Sequence, residues 1–310
     1  MPIKYLPPKS DLIFKKIFGD VNNIEILTAF LKSTLDIAHD EYEKIILTDT
    51  HLSQNGEHDK LGILDVKVQT KSGNIIDIEI QLANIPHMRE RIVFYLSKMV
   101  SGQISSGDKY NSIKRSIIIV ITDYKMIKEN DKYHNVYTLR DKDGNEFTNL
   151  VEINTLELPK LPNNDDNSDL WNWMKFLKSQ NEEEFKMVET KSKELKKAVC
   201  VLRELSQDEK TKLIFEAHEI ARMDYEDRMD GAFADGKAKG LKEGERKGRI
   251  AGERKGRIEG KIEGKIESAI TMIAKYHIGL KSAMNDFELD EKYKEQIVNE
   301  LNRRNINYEE

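Results

Sequence analysis

The run Ser116-Ile117-Ile118-Ile119-Val120-Ile121 limits the possible folds more than any other segment of this chain. Four isoleucines and a valine in six residues favour a strand. No polar residue alternates among them, so that strand has to be buried on both faces. The segments around it supply the layers. Ser10 or Asp11 is placed to N-cap a helix through Leu12, Phe14, Ile17 and Phe18, stopped by Gly19. A second helix from about Asn22 carries Ile24, Leu27, Leu31 and Leu35 at helical spacing, with Phe30 beside them. Three short strands follow over residues 44–51, 62–69 and 75–82, and Lys71-Ser72-Gly73-Asn74 has hairpin-turn chemistry between the last two. Pro86 is positioned to open a long helix over residues 87–105, ending near Ser106 and Gly107. Beyond the isoleucine run, residues 134–139 and 147–153 read as a strand pair joined by the turn Asp141-Lys142-Asp143-Gly144-Asn145. The order ααβββαβ predicts an α/β domain around a mixed central sheet.

The expected division is a core over residues 1–158, a polar linker over 159–168 and a helical region over 169–231. A charged tail over 232–268 and a helical C-terminal segment over 269–310 follow. Trp171, Trp173, Met174, Phe176 and Leu177 open the helical region as packing residues. In the tail, glycine recurs every four residues from Gly236 to Gly264, so that eight of the chain's 17 glycines fall within 29 positions. Each costs an isolated helix about 1 kcal/mol relative to alanine, although the Lys, Arg and Glu between them favour helix. A period of four exceeds 3.6, so the glycines, and Ile250, Ile258, Ile262 and Ile266 with them, drift round the helix as a stripe. The expectation is a helix that frays alone and orders on assembly, giving a homo-oligomer through the tail. The opposing reading is a loose charged arm.

Charge and cysteine usage narrow the function. The net charge is −5, but residues 236–267 hold eleven Lys/Arg against six Glu, which is +5 and leaves −10 for the rest. The only dense basic stripe is therefore in the tail, and charge by itself does not announce a nucleic-acid partner. Cys200 is the single cysteine, so there is no disulfide framework and a cytoplasmic protein is expected. No segment approaches the ~20 apolar residues of a membrane span, and Met1-Pro2-Ile3-Lys4-Tyr5 lacks a signal peptide's apolar run. His39, His51 and His58 have no C-x-x-C companions for zinc. Neither a G-x-x-x-x-G-K-[ST] phosphate loop nor a G-x-S-x-G elbow occurs.

Two strands put acids where chemistry can use them. Alternate side chains of a strand share a face, which groups Asp65 with Lys67 and, on the neighbour, Asp77 with Glu79 and Gln81. The hairpin brings Asp65 and Glu79 to adjacent strands, where paired carboxylates repel unless a cation lies between them. Mg²⁺ fits, because it takes carboxylate, carbonyl and water oxygens. A bound Mg²⁺ can activate water and neutralise charge on a phosphate being cleaved. The competing reading is of ordinary exposed acids on a half-buried sheet. Arg91 and Tyr95 share a helix face; they are either a phosphate grip with its buttress or an intrahelical surface pair. His87 reads as a surface residue at a helix start, Asp11 as an N-cap and Lys15 as a solvated lysine.

The string Leu64-Asp65-Val66-Lys67, a turn, and Asp77-Ile78-Glu79-Ile80-Gln81 resembles the D…(D/E)-x-K core of the PD-(D/E)XK, restriction-endonuclease-like nucleases. More closely, it is similar to the Rpn family of recombination-promoting nucleases, also called PD-(D/E)XK nuclease family transposases. Asp11-Leu12-Ile13-Phe14-Lys15-Lys16-Ile17-Phe18-Gly19 resembles that family's opening helix. Arg91-Ile92-Val93-Phe94-Tyr95 resembles its arginine and tyrosine helix, and Gly107-Asp108-Lys109-Tyr110 the segment before its apolar strand. The resemblance covers about residues 5–155 and, in style, the tail. It implies a Mg²⁺-dependent DNA endonuclease, with Mn²⁺ or Ca²⁺ as other candidate ions, that cleaves backbone phosphodiesters and promotes recombination or transposon-like DNA mobility. Asp65 and Glu79 would be metal ligands, with the backbone carbonyl of Ile80 as a third. Gln81 stands where the wider superfamily has lysine; glutamine can orient a water but cannot supply a cation. Lys67 either supplies that charge or is an ordinary exposed lysine. The exchange leaves open a second class of function, a non-cleaving DNA-binding or assembly protein on a degenerate nuclease fold.

Overall fold

The isoleucine run lies at the centre of a six-stranded sheet. Its strands are β1 (Ile46–Leu47), β2 (Val66–Gln69), β3 (Ile75–Gln81), β4 (Ser116–Thr122), β5 (His134–Arg140) and β6 (Glu146–Glu157). The computed structural model describes residues 4–50 and 65–309. The spatial order is β1-β2-β3-β4-β6-β5; β3, β4 and β6 pair in parallel and the outer neighbours antiparallel. The sheet is therefore mixed, as the element order predicts, and β4 is buried at every residue. Strand β1 is only Ile46–Leu47, although a strand over 44–51 is expected; residues 44–45 and 48–50 are described but not strand, while His51, His58 and the expected strand start over 62–64 lie outside the described residues.

Helices close both faces. Helices α1 (Asp11–Phe18), α2 (Ile24–Thr34), α4 (Asp169–Lys178), α5 (Glu182–Glu189) and α6 (Lys193–Gln207) share one apolar cluster with Val66, Val68, Ile76, Ile78, Ile80, Ile117, Ile119 and Ile121. Helix α3 (Met88–Ser101) covers the other face, bringing Ile92, Tyr95, Leu96 and Met99 against Ile118 and Val120. Trp173 ties the first layer together: its ring lies 5.9 Å from Phe18, 6.1 Å from Phe30 and 6.1 Å from Phe176, all edge-on or nearly so. Helices α4, α5 and α6 are each capped by a side chain, Ser168, Asn181 and Ser192, that accepts a first-turn N–H. Between β6 and α4, Lys160 is buried with its ammonium 3.1 Å from the Glu157 carboxylate and 2.8 Å from the Asn130 carbonyl. Gly73, at φ +95°, turns the β2–β3 hairpin in a conformation that disfavours a side chain.

Several local boundaries differ from the sequence expectation. Ser10 occupies the N-cap of α1 but its hydroxyl donates to the Pro7 carbonyl, so no side chain caps this helix; Asp11 sits in the first turn. Helix α3 starts two residues after Pro86, with His87 in the left-handed region at φ 62°, and its side chain is exposed as expected. It ends at Gly102 rather than Gly107, because the Gln103 side-chain amide turns back to donate to the Met99 and Lys114 carbonyls and the Ser116 hydroxyl. The residues between then form an irregular link, with Asp108 accepting from the Ser105 N–H.

Contacts divide the chain into two units, Met1–Glu219 and Ile220–Glu310. Helix α7 (Glu209–Tyr276) is continuous for 68 residues. In the second unit its end packs through Ile266, Ala269, Ile270 and Ile273 on α8 (Leu280–Asp286) and α9 (Lys294–Arg303), forming a small core with Leu280, Met284, Ile297 and Leu301. The repeat glycines lie before this core, and a Cβ placed on any from Gly236 to Gly264 would meet nothing within 4 Å. Glu243–Lys247, Arg249–Glu253 and Lys255–Glu259 are helical ion pairs along that stretch. At about 0.3–0.5 kcal/mol each, they fall well short of the ~8 kcal/mol that eight glycines cost.

Trp173→Ala should remove about 3–5 kcal/mol of stability, the usual cost of truncating a buried tryptophan. Urea unfolding monitored by circular dichroism checks this. A loss under 1 kcal/mol would mean that α4 is not part of the cooperative unit containing the sheet.

Candidate active site

The antiparallel register of β2 and β3 pairs Val66 with Ile78 and Lys67 with Asp77. Asp65 immediately precedes β2, where continuing this register would set it against Glu79, and its charge acts on the Glu79 carboxyl. Directly opposed carboxylates are unfavourable on a sheet, and these are taken out of water as well. Glu79 is 2% exposed, Asp77 is fully buried, and the Asp65 side chain is 11% exposed. Alternation sends Ile76, Ile78 and Ile80 into the larger core and Asp77, Glu79 and Gln81 toward the side covered by α3.

Each acid has a different set of partners. Asp65 accepts from the Ile80 backbone N–H at 2.9 Å through Oδ2 and from Lys15 at 3.0 Å through Oδ1. Glu79 Oε2 accepts from the Gln81 amide at 3.2 Å, while Glu79 Oε1 and both Asp77 oxygens have no partner among the described residues. Burial raises the Asp65 carboxyl, against the opposing pull of the Ile80 N–H and Lys15. Burial, then the charge of Asp65, pushes Glu79 up to about 7, although Arg91 opposes this. Asp77 is raised well above the carboxylate range by burial and by the charges of Glu79 and Asp65; the Lys67 charge opposes this.

Arg91 lies on α3, and its charge acts on Glu79. Its Nε donates to the Tyr95 hydroxyl at 2.9 Å, so the expected pair does form within the helix, on the face turned to the acids. Lys67 is half-buried and opposite Asp77 rather than beside Asp65. The cation beside Asp65 is Lys15, half-buried between Asp65 and Asp11, which is 2.9 Å away. This corrects two sequence expectations: Lys15 is not a freely solvated lysine, and Asp11 is not the N-cap of α1 but the second carboxylate on that lysine. Tyr124, just past β4, was not singled out by the sequence; its hydroxyl is buried without a partner among the described residues and feels the Arg91 charge. No periodicity marks Tyr124, whereas Asp11 and Lys15 are four apart, the spacing of a helical ion pair.

Among the described residues, no group of three His, Cys, Asp or Glu side chains is arranged to hold a metal ion. The donors at Asp65 and Glu79 nevertheless suit a hard cation, because they are all oxygens and Glu79 Oε1 is buried without a partner among the described residues. The Ile80 carbonyl is a further candidate oxygen beside Asp65. In a strand, the N–H and C=O of one residue point to the same neighbour, and the Ile80 N–H points at Asp65.

The family model for PD-(D/E)XK nuclease family transposase matches residues 8–232, and the chain belongs to that family. Its mixed sheet with helices on both faces is the PD-(D/E)XK fold, extended by the long helix α7. No curated protein and no solved structure matches the chain. Among the described residues, no helix is long and apolar enough to cross a membrane.

The raised carboxyl of Glu79 makes stability depend on pH. The folded protein keeps this proton up to about 7, whereas an unfolded glutamate loses it near 4.5. Between those values the folded state binds the extra proton, so stability falls as pH rises. In chelator, Glu79→Gln should therefore stabilise the protein at pH 8, by on the order of 3 kcal/mol, and confer no advantage near pH 4.5. Urea unfolding at the two pH values measures this; an equal gain at both would show that the glutamate charge is not responsible.

Proposed function

We propose that this protein is a metal-dependent DNA endonuclease that hydrolyses backbone phosphodiesters and so promotes recombination or transposon-like DNA mobility. The observation that carries the reading is the buried pair Asp65 and Glu79, whose charges interact where β2 begins beside β3 in a PD-(D/E)XK-family sheet, with Glu79 Oε1 unpartnered among the described residues. Asp65, Glu79 and the Ile80 carbonyl would hold Mg²⁺, with Mn²⁺ or Ca²⁺ as other candidates. Such an ion supplies an activated water and neutralises charge on the phosphate.

The chain's own residues do the rest. Gln81, already fixed by its bond to Glu79, orients the attacking water through its amide. Arg91 grips a phosphate oxygen, with the Tyr95 hydroxyl holding its Nε and leaving the terminal nitrogens to donate. Lys67 stands on the same side of β2 and adds to the positive potential. Two copies of the chain, joined through the tail, suit cutting both strands of a duplex. The deficit left by the eight glycines supports that assembly, since helices in proteins are stabilised mainly by packing.

Nicking of supercoiled plasmid in Mg²⁺ tests the chemistry. The native protein should cut, and Asp65→Ala and Glu79→Ala should each lose at least about 10²-fold, the scale of losing one preorganised charge-stabilising group. Cleavage surviving both substitutions would remove the site assignment. The rival reading, a DNA-binding or assembly protein without cleavage, is favoured by Gln81 in the lysine position; DNA binding with no nicking by the native protein would establish it. For the tail, sedimentation of the full chain and of a truncation ending near Met229 should give an oligomer and a monomer. Two monomers would end the assembly reading. If the +5 stretch instead acts as a phosphate-binding arm, truncation should keep the oligomeric state and lose salt-sensitive DNA affinity.

A further inference from the structure

A nuclease site built on Asp65, Glu79 and Gln81 lacks a cation at the third position, and the described residues offer three candidates. Arg91 is bonded to Tyr95 on α3. Lys67 lies opposite Asp77, which is fully buried in the sheet. Lys15 alone contacts a carboxylate of the opposed pair, with its ammonium 3.0 Å from Asp65 Oδ1 and its side chain 38% exposed, so the charge is at once beside the site and open to a substrate.

Its position is set by packing. Ile13, Phe14, Ile17 and Phe18 are fully buried and fix α1 in the larger core. At the C-terminus of α1, a Cβ on Gly19 would come to 3.5 Å from Val66 Cγ2, the residue next to Asp65. The helix thus rests on the start of β2. Asp11, one turn before Lys15, holds the ammonium from the other side at 2.9 Å. Two carboxylates therefore fix a long, flexible side chain that would otherwise sample many rotamers.

We infer that Lys15 is a catalytic residue, supplying from helix α1 the positive charge that Gln81 cannot. This rests on the nuclease reading and deepens it. In the hydrolysis, the water oxygen bonds to phosphorus and gives up a proton to solvent, one P–O ester bond breaks, and the departing oxygen takes up a proton from solvent to leave as an alcohol. Negative charge on the phosphoryl oxygens and the departing oxygen grows in the transition state. The Lys15 ammonium is oriented beforehand to meet it, which makes such a charge effective. Lys15 transfers no proton in this scheme; Asp65 and Asp11 hold it as a fixed charge.

The test uses the full chain and the variants Lys15→Met, Lys15→Arg and Lys15→Met with Gln81→Lys. Single-turnover plasmid cleavage, Mn²⁺ affinity and DNA affinity are measured for each, with thermal unfolding as the check on folding. Lys15→Met should slow cleavage by about 10²-fold or more while Mn²⁺ and DNA affinities are not weakened. Lys15→Arg should keep part of the rate. Adding Gln81→Lys to Lys15→Met should restore cleavage, because it returns the charge from a neighbouring strand position. If Lys15→Met cleaves as fast as the native protein, the inference is wrong while the nuclease reading stands. Weakened Mn²⁺ binding without rescue by Gln81→Lys would make Lys15 only a clamp on Asp65 and overturn the catalytic role. A native protein that binds Mn²⁺ but does not cut would overturn both readings.

Discussion

The parallel pairing of β3 with β4 is the constraint on which the rest of the first unit depends. Seven residues of each strand are in register, from Ile75 with Ser116 to Gln81 with Thr122. Every residue of β4 is buried, so apolar cover is required on both faces. On one side, α1, α2 and α4 to α6 bring phenylalanines and Trp173 together over the isoleucines; on the other, α3 packs with Met126 and Ile127 against Ile118 and Val120. Because α1 is held in the first layer, Lys15 reaches the edge of β2. Because α3 is held in the second, Arg91 faces Glu79. The charged groups beside the acids are thus attached to elements fixed by core packing.

Against that apolar demand, β3 carries two acids. Asp77 and Glu79 occupy positions where the neighbouring strand has Ile118 and Val120. Among the described residues three buried oxygens lack partners, and burial raises all three carboxyls of the cluster, with the charge of Asp65 adding to it at Glu79 and the charges of Glu79 and Asp65 at Asp77. Each unpartnered buried polar group costs about 1–3 kcal/mol. Such departures from consistency concentrate where a protein binds or reacts. The Lys15 and Ile80 contacts partly relieve the cluster: both Asp65 oxygens have a protein partner, whereas Glu79 Oε1 and both Asp77 oxygens have none among the described residues.

The second unit poses the opposite problem, a helix with too few contacts rather than too many charges. From Gly236 to Gly264 the side chains around α7 are exposed apart from its last turns, and its helical ion pairs are weak beside the cost of its glycines. Only from about Ile266 does it gain a core, shared with α8 and α9. The bare stretch and the packed end are therefore different structures within one continuous helix.

Much of this was legible in the residues themselves. The isoleucine run, the hairpin turn and period-two alternation were enough to anticipate a mixed α/β sheet with Glu79 on β3 and Asp65 beside it at the start of β2, because these are local patterns that backbone geometry converts directly into position. Less local features were not. The end of α3 depended on the Gln103 amide meeting a carbonyl eleven residues away at Lys114, and α1 went uncapped because Ser10 found the Pro7 carbonyl. Neither competition can be read from propensity. The same holds for the cation beside Asp65: Lys15 and Lys67 look alike as surface lysines, and Lys67 is nearer in sequence and on the same strand. Only the packing of α1 against the start of β2, fifty residues away in the chain, decided that Lys15 reaches the carboxylate. Burial, which sets the charge state of Glu79 and Asp77, was likewise decided by tertiary structure, because a strand's alternation says which residues share a face but not whether a helix will cover it.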